Sequence, residues 1–430
     1  MLTASGELKI AVDELSAAIK AMDDGSARTA LLGRRAILRG RLGEGEGAHA
    51  DFEEAIASGL EDLRGNLAEH LGKLAMQAAG RGDSNLWRQY RLRIAQLRLE
   101  MGDIEDARKV LTELLKTDSK DKATLRAIAH VDELESDWAA ASATYRRLVG
   151  LEDEHGIVSA ALKLAETCEK AGRLADARGG LERARASAPD DAALRQRLAW
   201  LYEQLGAMKE LAELVLEEAR AAGDVAPRFD GLMRAGQLFL ELAQDPNATQ
   251  QAGVNAAIAP LEEAHALRPA DLDCAALLSD SYVGSGRFDE AQELLLQTIG
   301  TFKGRRAREL SALFHRLARV AEILGDKAAE LQHLMTALDM DGQNGVVASE
   351  LAVLAMELGN LDVASRALRA ITMLKNPAPL PKALAYQHLG EIAKQQGDVK
   401  RAMMLLKRAI DDDPSLQSAR ALLDALQAEG

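Results

Sequence analysis

The chain has 430 residues, more than a single core usually holds, and it is 47% apolar but only 3% aromatic, so small aliphatic side chains must close its interior. Its 67 acidic residues against 53 lysines and arginines leave a net charge of -14, which argues against nucleic acid or an anionic membrane surface as the main partner. Two cysteines, Cys168 and Cys274, exclude a disulfide framework and read as small buried residues in helical patterns.

Residues 1–87 are the least regular part. The opening "MLTASGELKIAVDEL" lacks a basic stretch followed by an apolar one, and no eighteen apolar residues run together anywhere. A soluble chain is expected, cytoplasmic unless a leader has been removed, in which case periplasmic. Residues 7–22, "ELKIAVDELSAAIKAM", and the stretch "ADFEEAIASGL" predict helices whose Ala11 and Ala55 match the alanine that recurs downstream. The 52 residues from Ala55 to Ala107 leave room for an additional helix around 64–79, whose pairing the sequence does not assign. Such a start falls in the middle of a repeating unit, so the first helix is expected to meet a partner, a longer array or a second copy of the chain. "LGEGEGAHADF" imitates a glycine-rich phosphate loop, but no strand precedes it, no Lys-Ser/Thr follows, and Glu44 and Glu46 would repel phosphate. The tripeptide Arg81-Gly82-Asp83 is read as a turn.

From residue 88 to 413 the chain repeats. An alanine recurs at Ala107, Ala141, Ala177, Ala257, Ala291, Ala364 and Ala402, with Leu211 and Glu330 in the same series, at spacings of 34 to 46 residues. Five residues before eight of these anchors stand Gly102, Ser136, Gly172, Gly206, Gly286, Gly325, Gly359 and Gly397, seven glycines in eight; the unit anchored at Ala257 is interrupted by an insertion and lacks the turn residue. Glycine just past a helical period fits a left-handed C-cap, so each should end one helix and let another begin within about three residues. Acidic residues in the restarting turn, as in "GDIEDAR", suit the positive end of the helix dipole.

Twelve residues before the anchors the side chains are small again: Ala95, Ala129, Ala165, Ala199, Ser279, Ala318, Ala352 and Gly390, with Gly236 as the counterpart ahead of Ala257 in the interrupted unit. Two small positions facing each other let antiparallel helices approach closely. Pro189, Pro269 and Pro414, twelve residues after their anchors, stop the second helix. The unit around Ala257 carries an insertion near 244–253, "QDPNATQQAG", whose Asn247 fits a glycosylation acceptor only in a secretory cell. Residues 414–430 predict a capping helix, with Gln417, Arg420, Asp424 and Gln427 on a polar outer side.

The small residue, the glycine turn, the alanine and the closing proline at a 34-residue period resemble the tetratricopeptide repeat, over roughly residues 88–414. The fold this implies is all-α, an α-solenoid in which antiparallel helix hairpins stack into a right-handed superhelix. Abundant Ala, Arg and Gly suggest a bacterial source. Leu211 and Glu330 depart from the pattern and are expected to splay their joints, and the family's early tryptophan is missing. The family implies protein binding in a concave groove lined by the first helices. Counted from the anchors, its groove places fall on Arg126, His130, Lys163, Glu166, Lys170, Gln196 and Trp200. Farther along they fall on Ala276, Asp280, His315, Arg316, Arg319, Glu322, Ser349 and Glu350, then on Gln387, His388, Glu391 and Lys394.

No catalytic constellation, metal site or cofactor motif is found: no two of the eight histidines lie three or four apart, and neither cysteine has a ligand-spaced companion. The sharpest local feature is "KGRRARELSALFHRLARV", residues 303–320, where Arg308, His315, Arg316 and Arg319 form a cationic patch able to take an acidic partner segment, unless acidic neighbours in adjacent units neutralise it. The Lys-Asn-Asn clamp by which some family members hold a C-terminal carboxylate is not reproduced. Trp200 is either an exposed anchor or a packing residue. The expected function is therefore a non-enzymatic scaffold for a partner peptide or helix. The alternatives are a recruiting arm of a larger enzyme or secretion machine, and, remotely, a helical enzyme.

Overall fold

The computed structural model describes residues 2–23, 25–244, 250–302, 308–375 and 379–429. The described residues form α-helices joined by short turns, with no strand among them. They divide into two compact units, Met1–Leu205 and Gly206–Gly430. The boundary foreseen at residue 87 falls inside the first unit, and Asn247 and residues 303–307 lie outside the described residues.

The first unit holds α1 (Leu2–Ala21), α2 (Ser26–Leu42), α3 (Gly45–Ala57), α4 (Arg64–Gly80), α5 (Ser84–Glu100), α6 (Ile104–Thr117), α7 (Lys122–Leu134), α8 (Trp138–Leu151), α9 (Ile157–Lys170), α10 (Arg178–Ser187) and α11 (Ala192–Leu205). The second holds α12 (Met208–Ala221), α13 (Val225–Leu242), α14 (Gln250–Leu267), α15 (Leu272–Gly284), α16 (Phe288–Thr301), α17 (Ser311–Leu324), α18 (Lys327–Met340), α19 (Gly345–Glu357), α20 (Leu361–Met373), α21 (Lys382–Gln395), α22 (Val399–Asp412) and α23 (Gln417–Glu429). Within each unit consecutive helices pack against one another, so each is a stacked series of antiparallel hairpins of the α-solenoid kind.

The turns have the conformation the repeat demands. All seven turn glycines have positive φ, between 65° and 84°, and Ser136, the exception in sequence, is the one non-glycine residue in that region among those described, at φ 60°. The reversal is closed by backbone bonds such as Asp103 N–H to Arg98 O at 2.8 Å, a Schellman pattern that needs a left-handed residue between them. The residue after the turn caps the following helix: Asp83, Asp137, Asp326, Asn360 and Asp398 each accept the backbone N–H three residues on. Their carboxylates and amides therefore act as N-caps, a stronger role than dipole complement alone.

The small positions meet as expected. All seven anchor alanines are fully buried, and Ala95, Ala129, Ala165, Ala318 and Ala352 are at most 1% exposed. At Gly390 a Cβ would sit 3.0 Å from Leu406 and 3.3 Å from the Ala402 carbonyl, so α21 and α22 approach too closely for alanine without adjustment. In the interrupted unit α14 meets α13 at Gly253, where a Cβ would lie 2.7 Å from the Phe239 carbonyl oxygen. Leu211 is buried as well, while Ala199, twelve residues before it, is partly exposed.

The early register differs from the expectation. The turn residue between α2 and α3 is Gly43, at φ 85°, and the buried small pair is Ala36 and Ala48, seven residues ahead of Ala55. Ala55 is buried too, but two turns farther along α3, which is why it imitated an anchor. The additional helix expected around 64–79 is α4, which packs on α5. Beneath α2, the buried Asp51 accepts hydrogen bonds from Arg35 at 2.7 and 2.8 Å and from Arg39 at 2.9 Å. On α23, Ala419, Leu423 and Leu426 are buried while Gln417, Arg420, Asp424 and Gln427 are exposed.

Candidate functional site

The groove places lie on α7, α9 and α11 in the first unit and on α15, α17, α19 and α21 in the second, the first helices of their hairpins. In the first unit Arg126 pairs with Glu152, and the Nδ1 of His130 is 3.7 Å from Glu133. Lys163 sits between Glu166 at 3.0 Å and Glu133 of the neighbouring first helix at 3.5 Å. Trp200 is partly exposed, with the Arg197 guanidinium 4.2 Å over its ring and that arginine also bonded to Glu169. Arg126 and Lys163 share a cavity of about 390 Å³ with Tyr145 and His155.

In the second unit the cations are largely engaged. Arg316 makes two hydrogen bonds to Asp280, at 2.9 and 2.8 Å, and the Nε2 of His315 is 2.5 Å from Glu350. Arg308 pairs with Asp341 at 3.1 Å. The Arg316 and His315 contacts tie neighbouring first helices together, α15 to α17 and α17 to α19. Arg319 alone of the four makes no hydrogen bond or ion pair among the described residues. On α21, Gln387 is buried and bonds Glu391 at 2.8 Å and Ser418 at 2.6 Å, while Lys394 stands exposed. The hydrogen bond from His388 above all holds the Glu391 carboxyl below the usual range, against the opposing effect of burial and with a lesser pull from Gln387.

A cavity lies where the repeat was broken. Glu330, on α18, occupies the anchor place that alanine fills elsewhere, and beside it opens a space of about 530 Å³ between α17, α18 and α19. Its floor is apolar: Ala318, Leu334 and Leu354 are buried, and Val353 stands half exposed at its edge. Leu380, in the segment before α21, closes one side and is pinned to α19 by its N–H to the Ser349 hydroxyl at 3.1 Å. Arg319, Glu322, Lys327, Glu330, Glu350 and Glu357 supply the charge. Burial first, and then the neighbouring charge of Glu322, with Glu357 and Glu350 behind it, holds the Glu330 carboxyl above the ordinary glutamate range, against a pull from Lys327.

Counting along the repeat finds Arg319, Glu322, Ser349 and Glu350 of this wall but misses Lys327, Val353, Glu357 and Leu380. The signal available in sequence was Glu330 itself, a carboxylate where the packing has room for a methyl group. Among the described residues no group of three or more His, Cys, Asp or Glu is arranged to hold a metal ion, and no helix is long and apolar enough to cross a membrane. Both cysteines are buried, and burial pushes their thiols up, Cys274 to about 12.

Family models described as tetratricopeptide repeat match residues 89–120, 250–313 and 349–417. No curated protein matches the chain. Among solved structures it is similar to YrrB, described as a TPR protein with an unusual peptide-binding site, at 19% identity over 50% of this chain and 98% of that one, TM-score 0.34. It is also similar to the human IFIT1 dimer with m7Gppp-AAAA, at 15% identity over 94% of each chain, TM-score 0.30. A third similarity is to MamA, at 16% identity over 43% of this chain and 94% of that one, TM-score 0.31.

Proposed function

We propose that this chain, three stretches of which match tetratricopeptide-repeat models, is a non-enzymatic interaction scaffold whose first helices hold an extended segment or helix of a partner protein. The observation that carries the reading is the row formed by α15, α17 and α19. Its helices are linked to each other by Asp280–Arg316 and His315–Glu350, and the row opens beside Glu330 into a cavity of ligand size. Such a surface is fixed before the partner arrives, so little ordering opposes binding.

The contact residues assigned to the partner are Arg126, His130, Lys163 and Trp200 in the first unit. In the second they are Asp280, His315, Arg316, Arg319, Gln387, Glu391 and Lys394. An acidic partner segment would rest on Arg319, because Arg308, His315 and Arg316 already face carboxylates. One exposed guanidinium in a wall with four carboxylates offers an anion little net attraction.

The test is affinity capture from the native lysate with three baits: wild type, Val346→Glu on the exposed first turn of α19, and Met404→Glu on the exposed side of the second helix α22. A partner retained by wild type and Met404→Glu but lost by Val346→Glu is expected. Equal retention by all three baits would place the partner away from the first helices.

A further inference from the structure

We propose that the cavity beside Glu330 is a side-chain pocket for a lysine or arginine of the bound partner, with the aliphatic stem on Leu334, Val353 and Leu354 and the cationic head between Glu322 and Glu330. The proposal rests on the groove reading and adds the chemistry of one contact within it.

Charge balance selects the occupant. The wall carries four carboxylates against the two cations Arg319 and Lys327, an excess of two negative charges. The pairing is also incomplete. Glu350 is bonded to His315 and Glu357 to Lys327, while Glu322 and Glu330 have no hydrogen bond or ion pair among the described residues. Arg319, the remaining cation, points no donor within bonding reach of either. Two acceptors without donors, at the edge of an apolar floor, are what a long cationic side chain satisfies: its stem covers Leu334 and Leu354 and its head stays with the carboxylates.

The competing occupants fare worse. An apolar side chain would desolvate Glu330 further and give it no partner. An acidic one would add to a carboxylate cluster in which burial first and then the charge of Glu322 already raise the affinity of Glu330 for its proton. A cation reverses that repulsion. The departure at the anchor place thus has a use: alanine there would remove the acceptor, and the other eight anchors, seven alanines and Leu211, have no carboxylate to offer.

The probe is n-butylguanidinium, with n-butylammonium, butanol and butyrate as comparisons, titrated into the full chain while the methyl resonances of Leu334, Val353 and Leu354 are followed by NMR. Saturable shifts with both cations are expected, with butanol and butyrate at least about tenfold weaker. Glu330→Ala, which restores the residue of the other anchors, should weaken butylguanidinium by about tenfold or more, and Glu322→Gln should weaken it by a smaller factor while both variants keep the wild-type helical circular dichroism. Equal binding of butanol or butyrate, no saturable shift with either cation, or an affinity untouched by Glu330→Ala would overturn the pocket. If it is overturned while Val346→Glu still loses the captured partner, the groove reading stands and this contact alone falls.

Discussion

Arg316 holds the Asp280 carboxylate at two points, Nε at 2.9 Å and a terminal nitrogen at 2.8 Å, across the gap between two neighbouring first helices. The arginine and aspartate side chains are 28% and 48% exposed, so water screens the attraction and the geometry supplies more specificity than energy. A double-mutant cycle with Arg316→Ala and Asp280→Ala should give a coupling of about 0.5 to 1 kcal/mol in urea denaturation. The exchanged pair Arg316→Asp with Asp280→Arg should recover part of it. A coupling indistinguishable from zero would mean that this contact sets no spacing between α15 and α17.

Ser136 occupies, at φ 60°, a conformation that glycine supplies at the seven matching turns. Its side chain crowds its own backbone there, a cost of about 1 kcal/mol. Ser136→Gly should therefore raise stability by about that amount, less whatever the freer unfolded chain gains. The mirror change, Gly359→Ser, should lower it by a similar amount, since a Cβ at that place meets nothing within 4 Å and only the backbone conformation opposes it. Thermal melting of both variants checks the pair, and shifts of the same sign would contradict the assignment.

Asp51 is 3% exposed and accepts three hydrogen bonds from two arginines of α2. Removing it leaves Arg35, itself mostly buried, without the bond that most raises its proton affinity. Asp51→Ala should cost about 3 kcal/mol, the penalty of an uncompensated buried charge. Replacing Arg39, which adds a single bond from a more exposed position, should cost less. Equal losses from the two changes would show that the carboxylate is not the centre of the cluster.

What the sequence made legible is what depends on local backbone and on volume. Gly102 and Gly397 announce a left-handed turn because other side chains are strained there, and Ala107 and Ala402 announce close helices because small buried side chains let two backbones approach. The early units were harder. Ala55 and Ala48 are both buried alanines on one helix, and only the positive φ of Gly43 identifies which one meets the turn. Side-chain pairing was least legible, since Arg316 and Asp280 are 36 residues apart and meet only once the stacking register is known. The cavity is of the same kind: Val353, Lys327 and Leu380 come from three segments that share no pattern in sequence.

Glu330 carries the prediction that joins stability to function. Its carboxyl keeps its proton more tightly in the folded chain than in the unfolded one, through burial and then through Glu322. Between the unfolded and folded titration points the folded state therefore binds more protons, and stability falls as pH rises through that interval. Above it the deficit is complete, and below the unfolded glutamate value, about pH 4, it vanishes. Glu330→Gln should accordingly be more stable than wild type at neutral pH, and its advantage should disappear on acidification below about pH 4. Glu330→Ala should gain about 0.5 to 1 kcal/mol at neutral pH, because alanine is also what the helix pair accommodates elsewhere. Urea midpoints of the three proteins at both pH values decide the matter. An advantage of Glu330→Gln that persists unchanged in acid would show that packing rather than charge is responsible, whereas the expected pattern marks a carboxylate kept at a packing position against the interest of stability, as a binding group is.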